Sequence, residues 1–167
     1  MIEPSVSVRP AAPDEVSACV DLWVAAVAAR DGVPESDAVR ARAASKFAVP
    51  RVALLVAAGA AGAIDGFALV TAPGSGRPTD PSDAAYLSLL AVRPDVQARG
   101  VGRALLAASV DAASATGHPA VVLHALAGNE RALRLYEAGG FRADGVEFPH
   151  ALTGGPTRTY IATAPAH

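Results

Sequence analysis

Two rhythms of apolar and polar residues run along the chain, and the changes between them lay out its elements. Residues 5–9 alternate at period two, as a short edge strand does, and Pro10 and Pro13 end the run. Val16, Val20, Trp23, Val24 and Val27 then recur on one broad helical face. They predict a helix up to about Arg30, with Asp14 as its cap and Asp31-Gly32 as its break. Ser36 or Asp37 can cap a second, short helix ending near Phe47, before Pro50. Residues 51–58 and 63–71 are β-favouring apolar runs around Gly59-Ala-Ala-Gly62, the pattern of an antiparallel hairpin. Residues 73–82 are dense in Pro, Gly, Ser and Asp and predict a mobile loop.

Residues 85–92 predict the next strand. A helix follows over 102–115, with Val101, Ala104, Leu105, Ala108 and Ala112 at helical spacing and Gly117 as its C-terminal cap. Residues 120–126 predict another strand, so this unit should form a parallel pair with a right-handed crossover. A helix over 129–138 is stopped by Gly139-Gly140, and two strands near 141–148 and 157–163 complete the set. The predicted class is mixed α/β, one sheet with helices on both faces. With 167 residues, one domain over 1–167 is expected.

Composition narrows the partners. Apolar residues make up 51% of the chain, enough for a substantial core, although much of that is alanine. Net charge is −2 with no long run of either sign, so a nucleic-acid partner is not expected. No strongly acidic patch suggests a polyamine, and no basic patch suggests an acidic ligand. Cys19 is the single cysteine, so no intramolecular disulfide can form, and it reads as a small buried residue. Met1-Ile-Glu-Pro lacks the features of a signal peptide. The longest uncharged apolar run, 52–64, is too short for a membrane span and is interrupted by glycines. A cytoplasmic protein with no membrane partner is the expectation.

Two segments carry candidate chemistry. In Val92-Arg-Pro-Asp-Val-Gln-Ala-Arg-Gly-Val-Gly-Arg103 a strand end passes through a glycine-bearing turn into a helix. That arrangement aims free backbone N–H groups at one point, as a pyrophosphate requires. Gly100 and Gly102 clear the approach, and the N–H groups from about Val96 to Arg103 are the candidate donors. A P-loop is excluded, because no Gly-Lys-Ser/Thr is present. The dinucleotide fingerprint fails as well: Leu105 stands where a third glycine belongs, and no acidic residue follows at 121–123. The second segment is Asn129-Glu-Arg-Ala-Leu-Arg-Leu-Tyr-Glu-Ala-Gly-Gly-Phe141. It sets Asn129 at a helix start and Tyr136 about two turns later, near the same face. Taken singly, Asn129 is a helix cap, and Tyr136 and Phe141 are core aromatics.

Together, over roughly residues 50–142, these segments resemble the GNAT superfamily of acyl-CoA-dependent N-acetyltransferases. The resemblance implies a mixed, mainly antiparallel sheet of about six to seven strands, with helices on both faces and a central parallel βαβ unit. It implies acetyl-CoA as cosubstrate and no metal. The pyrophosphate would sit on Gln97, Ala98, Arg99, Gly100, Val101, Gly102 and Arg103. The pantetheine arm would pair with the backbone of Leu90 and Val92, where the central strand parts from its neighbour at a bulge. An N–H there would polarise the thioester carbonyl. Asn129 would bond the same arm, and Tyr136 would protonate the departing thiolate.

The chain departs from the family at one catalytic position. Tyr86 stands where many relatives carry a glutamate base, with Ser88 two residues on. His124 is the candidate replacement, and it also reads as a hydrogen-bonded histidine on a sheet face. Glu147, Asp83 and His150 lie on segments that could border the acceptor site, and a water chain to solvent needs no dedicated base. Trp23 reads as core packing and Arg30-Asp31 as a solvated helix end. The expected acceptor is a small-molecule amine or a peptide N-terminus. A silent acyl-CoA sensor and an enzyme for a longer acyl-CoA stay open, as does a homodimer, which is common among relatives.

Overall fold

The β-favouring runs pair into one sheet. In the computed structural model, which describes residues 6–59 and 62–164, the chain forms β1 (Val8–Pro10), α1 (Val16–Asp31), α2 (Asp37–Phe47), β2 (Arg51–Ala58) and β3 (Ile64–Thr71). It continues through β4 (Ala85–Val92), α3 (Val101–Ala115), β5 (Ala120–Leu126), α4 (Glu130–Ala138), β6 (Arg142–Pro149) and β7 (Pro156–Thr163). Among the described residues the sheet has seven strands in the order β1-β2-β3-β4-β5-β7-β6. Only β4 and β5 are parallel. The mixed, mainly antiparallel sheet and its βαβ unit are as expected. Ser5, Ala60 and Ala61, expected in the first strand and the hairpin turn, lie outside the described residues.

The start of α1 differs from expectation. A 3-10 turn, Pro13–Glu15, precedes the helix, and Asp14 does not cap it. Instead the Glu15 carboxylate accepts the Ala12 N–H at 2.7 Å and takes the Arg9 guanidinium at 2.7 and 2.9 Å. Pro13 explains this. Its fixed φ opens the turn one residue before Asp14, which puts Glu15 three residues past the cap position. The Arg9 guanidinium, and then the Ala12 N–H, hold the Glu15 carboxyl down at about 2. Ser36 caps α2, accepting the Ala38 and Val39 N–H groups at 3.2 and 3.4 Å.

Two cores flank the sheet. Leu105 and Leu106 of α3 and Leu133 of α4 bury one face, against Leu55, Ala68, Val70 and Leu123. Val20 and Val24 of α1 and Phe47 of α2 bury the other, against Leu54, Val56, Phe67 and Leu69. Along β4 the side-chain alternation breaks once. Val70 pairs with Leu87 and Leu69 with Leu89, so Ser88 is unmatched and forms a bulge. Ala85 and Leu87 face the α3 side before it; Leu90 and Val92 pack on that side after it, and Leu89 and Ala91 turn to α1.

The bulge coincides with a parting of strands. β4 meets β5 only at Ala85–Val121 and Tyr86–Val122. Beyond that, β4 stays with β3 as far as Val92, and β5 stays with β7 as far as Leu126.

Gly66 sits where β3, β4 and α3 press together. A Cβ there would meet the Ala91 carbonyl oxygen at 2.9 Å, Leu105 Cδ1 at 2.9 Å and Val101 Cγ1 at 3.1 Å. Gly66→Val should therefore destabilise the fold by about 1–3 kcal/mol, read as a lower urea midpoint at unchanged slope. Gly128→Ala, with nothing within 4 Å of the added carbon, should leave the midpoint where it is.

Candidate active site

A cavity of about 860 Å³ opens where β4 and β5 part, and it is walled by residues of both strands and of all four helices. One end is built mainly from backbone. The Arg93 N–H donates to the Asp65 carbonyl at 2.8 Å, which sets the phase of the β4 ladder. By alternation, Leu90 and Val92 direct their N–H and C=O groups away from β3, towards the gap. Both residues line the cavity.

From Val92 the chain does not turn directly into α3. A 3-10 helix, Pro94–Arg99, intervenes, and Gly100 then adopts φ +79° to open the helix. This changes the expected donor set. The Val96 N–H is already given to the Arg93 carbonyl at 3.0 Å, so it is not free for a ligand. Val101, Gly102 and Arg103 form the first turn of α3, where N–H groups have no acceptor within the helix, and Gly100 supplies no side-chain cap. Gln97 lines the cavity but gives its amide to the Val92 carbonyl at 3.4 Å. The side chains of Ala98 and Arg99 lie outside the described residues. Gly102 is needed for packing as well as approach, since a Cβ there would lie 3.1 Å from Leu135. A left-handed glycine, a bare helix start and an unpaired strand edge are what a ligand with a diphosphate and an amide-bearing arm requires.

The Asn–Tyr helix contributes two side chains to the same cavity. Asn129 caps α4, its Oδ1 accepting the Ala132 N–H at 3.3 Å, while its Nδ2 has no partner among the described residues. Capping and cavity lining hold together. Tyr136 is half-buried, its ring 6.3 Å from those of Phe141 and Tyr160. Its hydroxyl makes no hydrogen bond among the described residues, and burial pushes the phenol up to about 12, which keeps its proton on.

The other end of the cavity is built from side chains. Val121, Leu123 and Ala125 face α3, so His124 projects from the opposite face of β5. Its ring lies 5.1 Å from that of Tyr86 and 5.3 Å, edge-on, from that of Phe148. His124 Nε2 is 3.0 Å from Asp80 Oδ1, and Asp80 Oδ2 accepts the Arg77 N–H at 2.8 Å. Asp80 belongs to the stretch expected to be a mobile loop. Two contacts link that loop to the sheet, this pair and Ser75 Oγ at 2.6 Å from Thr71 Oγ1. In the neutral ring a carboxylate at Nε2 keeps the proton there and leaves the Nδ1 lone pair free. Burial pulls the His124 pKa below its ordinary value, and Asp80 opposes that pull.

The remaining candidates fall into place. Glu147 pairs with Arg158 at 2.8 Å and, like Asp83, does not line the cavity. His150 does line it, but its Nδ1 accepts the Leu152 and Thr153 N–H groups at 3.1 and 3.3 Å, which anchors its own loop. Cys19 is fully buried, and burial pushes its thiol up to about 11, which rules it out as a nucleophile. Trp23 packs on the α1 core and lines the cavity. Arg30 and Asp31 are exposed at the end of α1, as expected, and form a 2.9 Å pair that borders the cavity.

Sequence reasoning missed a cationic cluster. Lys46 of α2 places Nζ 3.4 Å from the Ser88 carbonyl and 5.6 Å over the Tyr86 ring. Burial, and then the nearby Arg42, pull its pKa down to about 8. Arg42 lies one turn earlier on the same helix, and the Arg77 guanidinium stacks 3.5 Å over the Phe148 ring. A basic patch thus forms that no run of charges announces; the i, i+4 spacing of Arg42 and Lys46 is the one local signal. Among the described residues no group of three or more His, Cys, Asp or Glu could hold a metal ion. No helix among them is long and apolar enough to cross a membrane.

The profile of the acetyltransferase (GNAT) family matches residues 21–141. Mycothiol acetyltransferase from Clavibacter sepedonicus is 44% identical over 63 residues, 38% of this chain and 21% of that protein, so the match spans about a fifth of that relative's length. The ribosomal-protein-S18-alanine N-acetyltransferase of Escherichia coli has the same fold, with a TM-score of 0.74 and 22% identity over 98% of this chain and 96% of that one. The yncA protein of Salmonella typhimurium, solved with its cofactor acetyl-CoA, gives a TM-score of 0.72 and 19% identity over 98% and 96% of the two chains.

His124 should titrate below the ordinary histidine range in an NMR pH series. Asp80→Asn removes the opposing charge, so the midpoint should move lower still; a midpoint that stays or rises would show that Asp80 does not govern the ring. The folded ring binds protons less readily than the unfolded one. Its contribution to stability is therefore complete above about pH 6.5 and is lost as pH falls from there through the folded value.

Proposed function

The chain belongs to the acetyltransferase (GNAT) family, and from that premise we propose that it transfers the acetyl group of acetyl-CoA to an amine by direct attack in one ternary complex. The observation that carries this reading is the parting of β4 from β5 beside the bare first turn of α3. When bound, acetyl-CoA supplies the thioester carbon that the amine attacks.

The chain's own residues do the rest. The N–H groups of Val101, Gly102 and Arg103 hold the diphosphate, and the backbone from Gln97 through Ala98, Arg99 and Gly100 shapes the approach. Leu90 and Val92 offer backbone donors and acceptors to the pantetheine arm, and Asn129 adds its free amide. A backbone N–H of this segment polarises the carbonyl oxygen and holds the charge that develops on it. An alkyl amine with a pKa near ~10 arrives mostly protonated at neutral pH, so a base is needed. His124 Nδ1 takes that proton, directly or through water, while Asp80 holds the ring by its other nitrogen. Tyr136 gives its proton to the departing sulfur and regains one from the acylated nitrogen, which sheds its second proton as the amide forms. Gathering both reactants in one cavity supplies much of the rate.

The test is to incubate the protein with acetyl-CoA and a panel of amines, N-terminal peptides included, and follow release of the CoA thiol. Tyr136→Phe should lower kcat by about 10²-fold or more and leave the Kd for acetyl-CoA unchanged. Full turnover in that variant would remove Tyr136 from the mechanism. Silence of the native protein across the panel, with acetyl-CoA still bound, would favour a sensor that keeps the cradle without the chemistry.

A further inference from the structure

We propose that the acceptor carries a carboxylate beside its reacting amine, the chemistry of a free amino acid, and that Lys46 and Arg42 bind that carboxylate. The inference rests on the transferase reading above and specifies its acceptor.

The argument starts from which charges at this end of the cavity are already matched. Asp31 is taken by Arg30, through contacts at 2.9 and 3.3 Å. Asp80 is taken by His124 and by the Arg77 N–H. Arg42, Lys46 and Arg77 line the same space, and none has a carboxylate partner among the described residues. Arg77 at least stacks on Phe148. Lys46 is half-buried, and its ammonium finds one carbonyl, at 3.4 Å, for three donors. A cation withdrawn from water without a counter-ion is costly, and its lowered pKa is the sign of that cost. An incoming anion removes the mismatch.

Position decides which anion. The Tyr86 ring has Lys46 Nζ 5.6 Å from its centre and the His124 ring 5.1 Å from it. Lys46 Nζ and the His124 ring thus both border the Tyr86 ring, so one small molecule can present its anion to the first and its amine to the second. A polyamine would bring a second cation against Lys46 and Arg42. A peptide N-terminus would bring a neutral carbonyl, which leaves both cations unmatched. An amino acid supplies the anion and the nucleophile at short separation.

The experiment compares L-amino acids with the amines left when their carboxylate is removed, by CoA thiol release from the native protein. Acetyl-CoA binding is measured in parallel by calorimetry. The expected result is a kcat/KM at least about ten-fold higher for the carboxylate-bearing member of each pair. Lys46→Met should raise KM for amino acids by about ten-fold or more and collapse the preference, while Lys46→Arg retains it and both leave acetyl-CoA binding unchanged. Equal or better use of the decarboxylated amines would overturn the inference. So would a preference that survives both Lys46→Met and Arg42→Gln. No turnover of either set with acetyl-CoA binding intact refutes this acceptor and leaves the cradle standing, whereas loss of acetyl-CoA binding refutes the reading beneath it.

Discussion

Backbone N–H and C=O groups inside a sheet must find partners, and this molecule is organised around the place where two strands stop providing them. β4 and β5 share two register positions and then part. Neither strand is free to close the gap. β4 is committed along its other edge to β3, and β5 to β7. The extra residue at Ser88 lets β4 bend away while each face keeps its apolar side chains on a core. The sheet is thus stable as a sheet and still presents, at its centre, backbone with no partner strand.

That arrangement divides the cavity into two ends with different chemistry. The end near α3 is made of backbone: an unpaired strand edge, a left-handed glycine and the bare first turn of a helix. Such groups recognise phosphate and amide by direction and need few particular side chains. The end near α1 and α2 is made of side chains: the His124–Asp80 pair, Tyr86, Lys46 and Arg42. Its chemistry depends on which residues stand there, and it is to that end that the proposal assigns selection of the acceptor.

Much of the fold was legible in the sequence. Strand 85–92, strand 120–126 and the helix that Asn129 caps appear where their periodicity and end signals place them. The glycine turn at Gly100 and Gly102, and the two helical turns between Asn129 and Tyr136, were legible in spacing because each is local; that all four line one cavity is a matter of how the elements pack. Local rules failed where two local signals competed. Asp14 lost the cap of α1 because Pro13 opened the turn first, and the Val96 N–H was consumed by a 3-10 turn that the glycine pattern does not announce.

What the sequence determined by itself is the set of elements, their amphipathic faces and the glycine-bearing turn into α3, since those follow from repeats of two and of 3.6 residues and from glycine's access to positive φ. What only the tertiary structure decided is the electrostatics of the side-chain end of the cavity. Arg42 and Lys46 come from a helix near the start of the chain, Arg77 and Asp80 from a loop, His124 from a strand and His150 from the last hairpin. Their charges cancel in the composition and are far apart in the chain. Only the folded sheet brings Arg42, Lys46 and Arg77 to one cavity and gives Asp80 to His124, because charge interactions depend on distance in space and on burial, neither of which is written in sequence order.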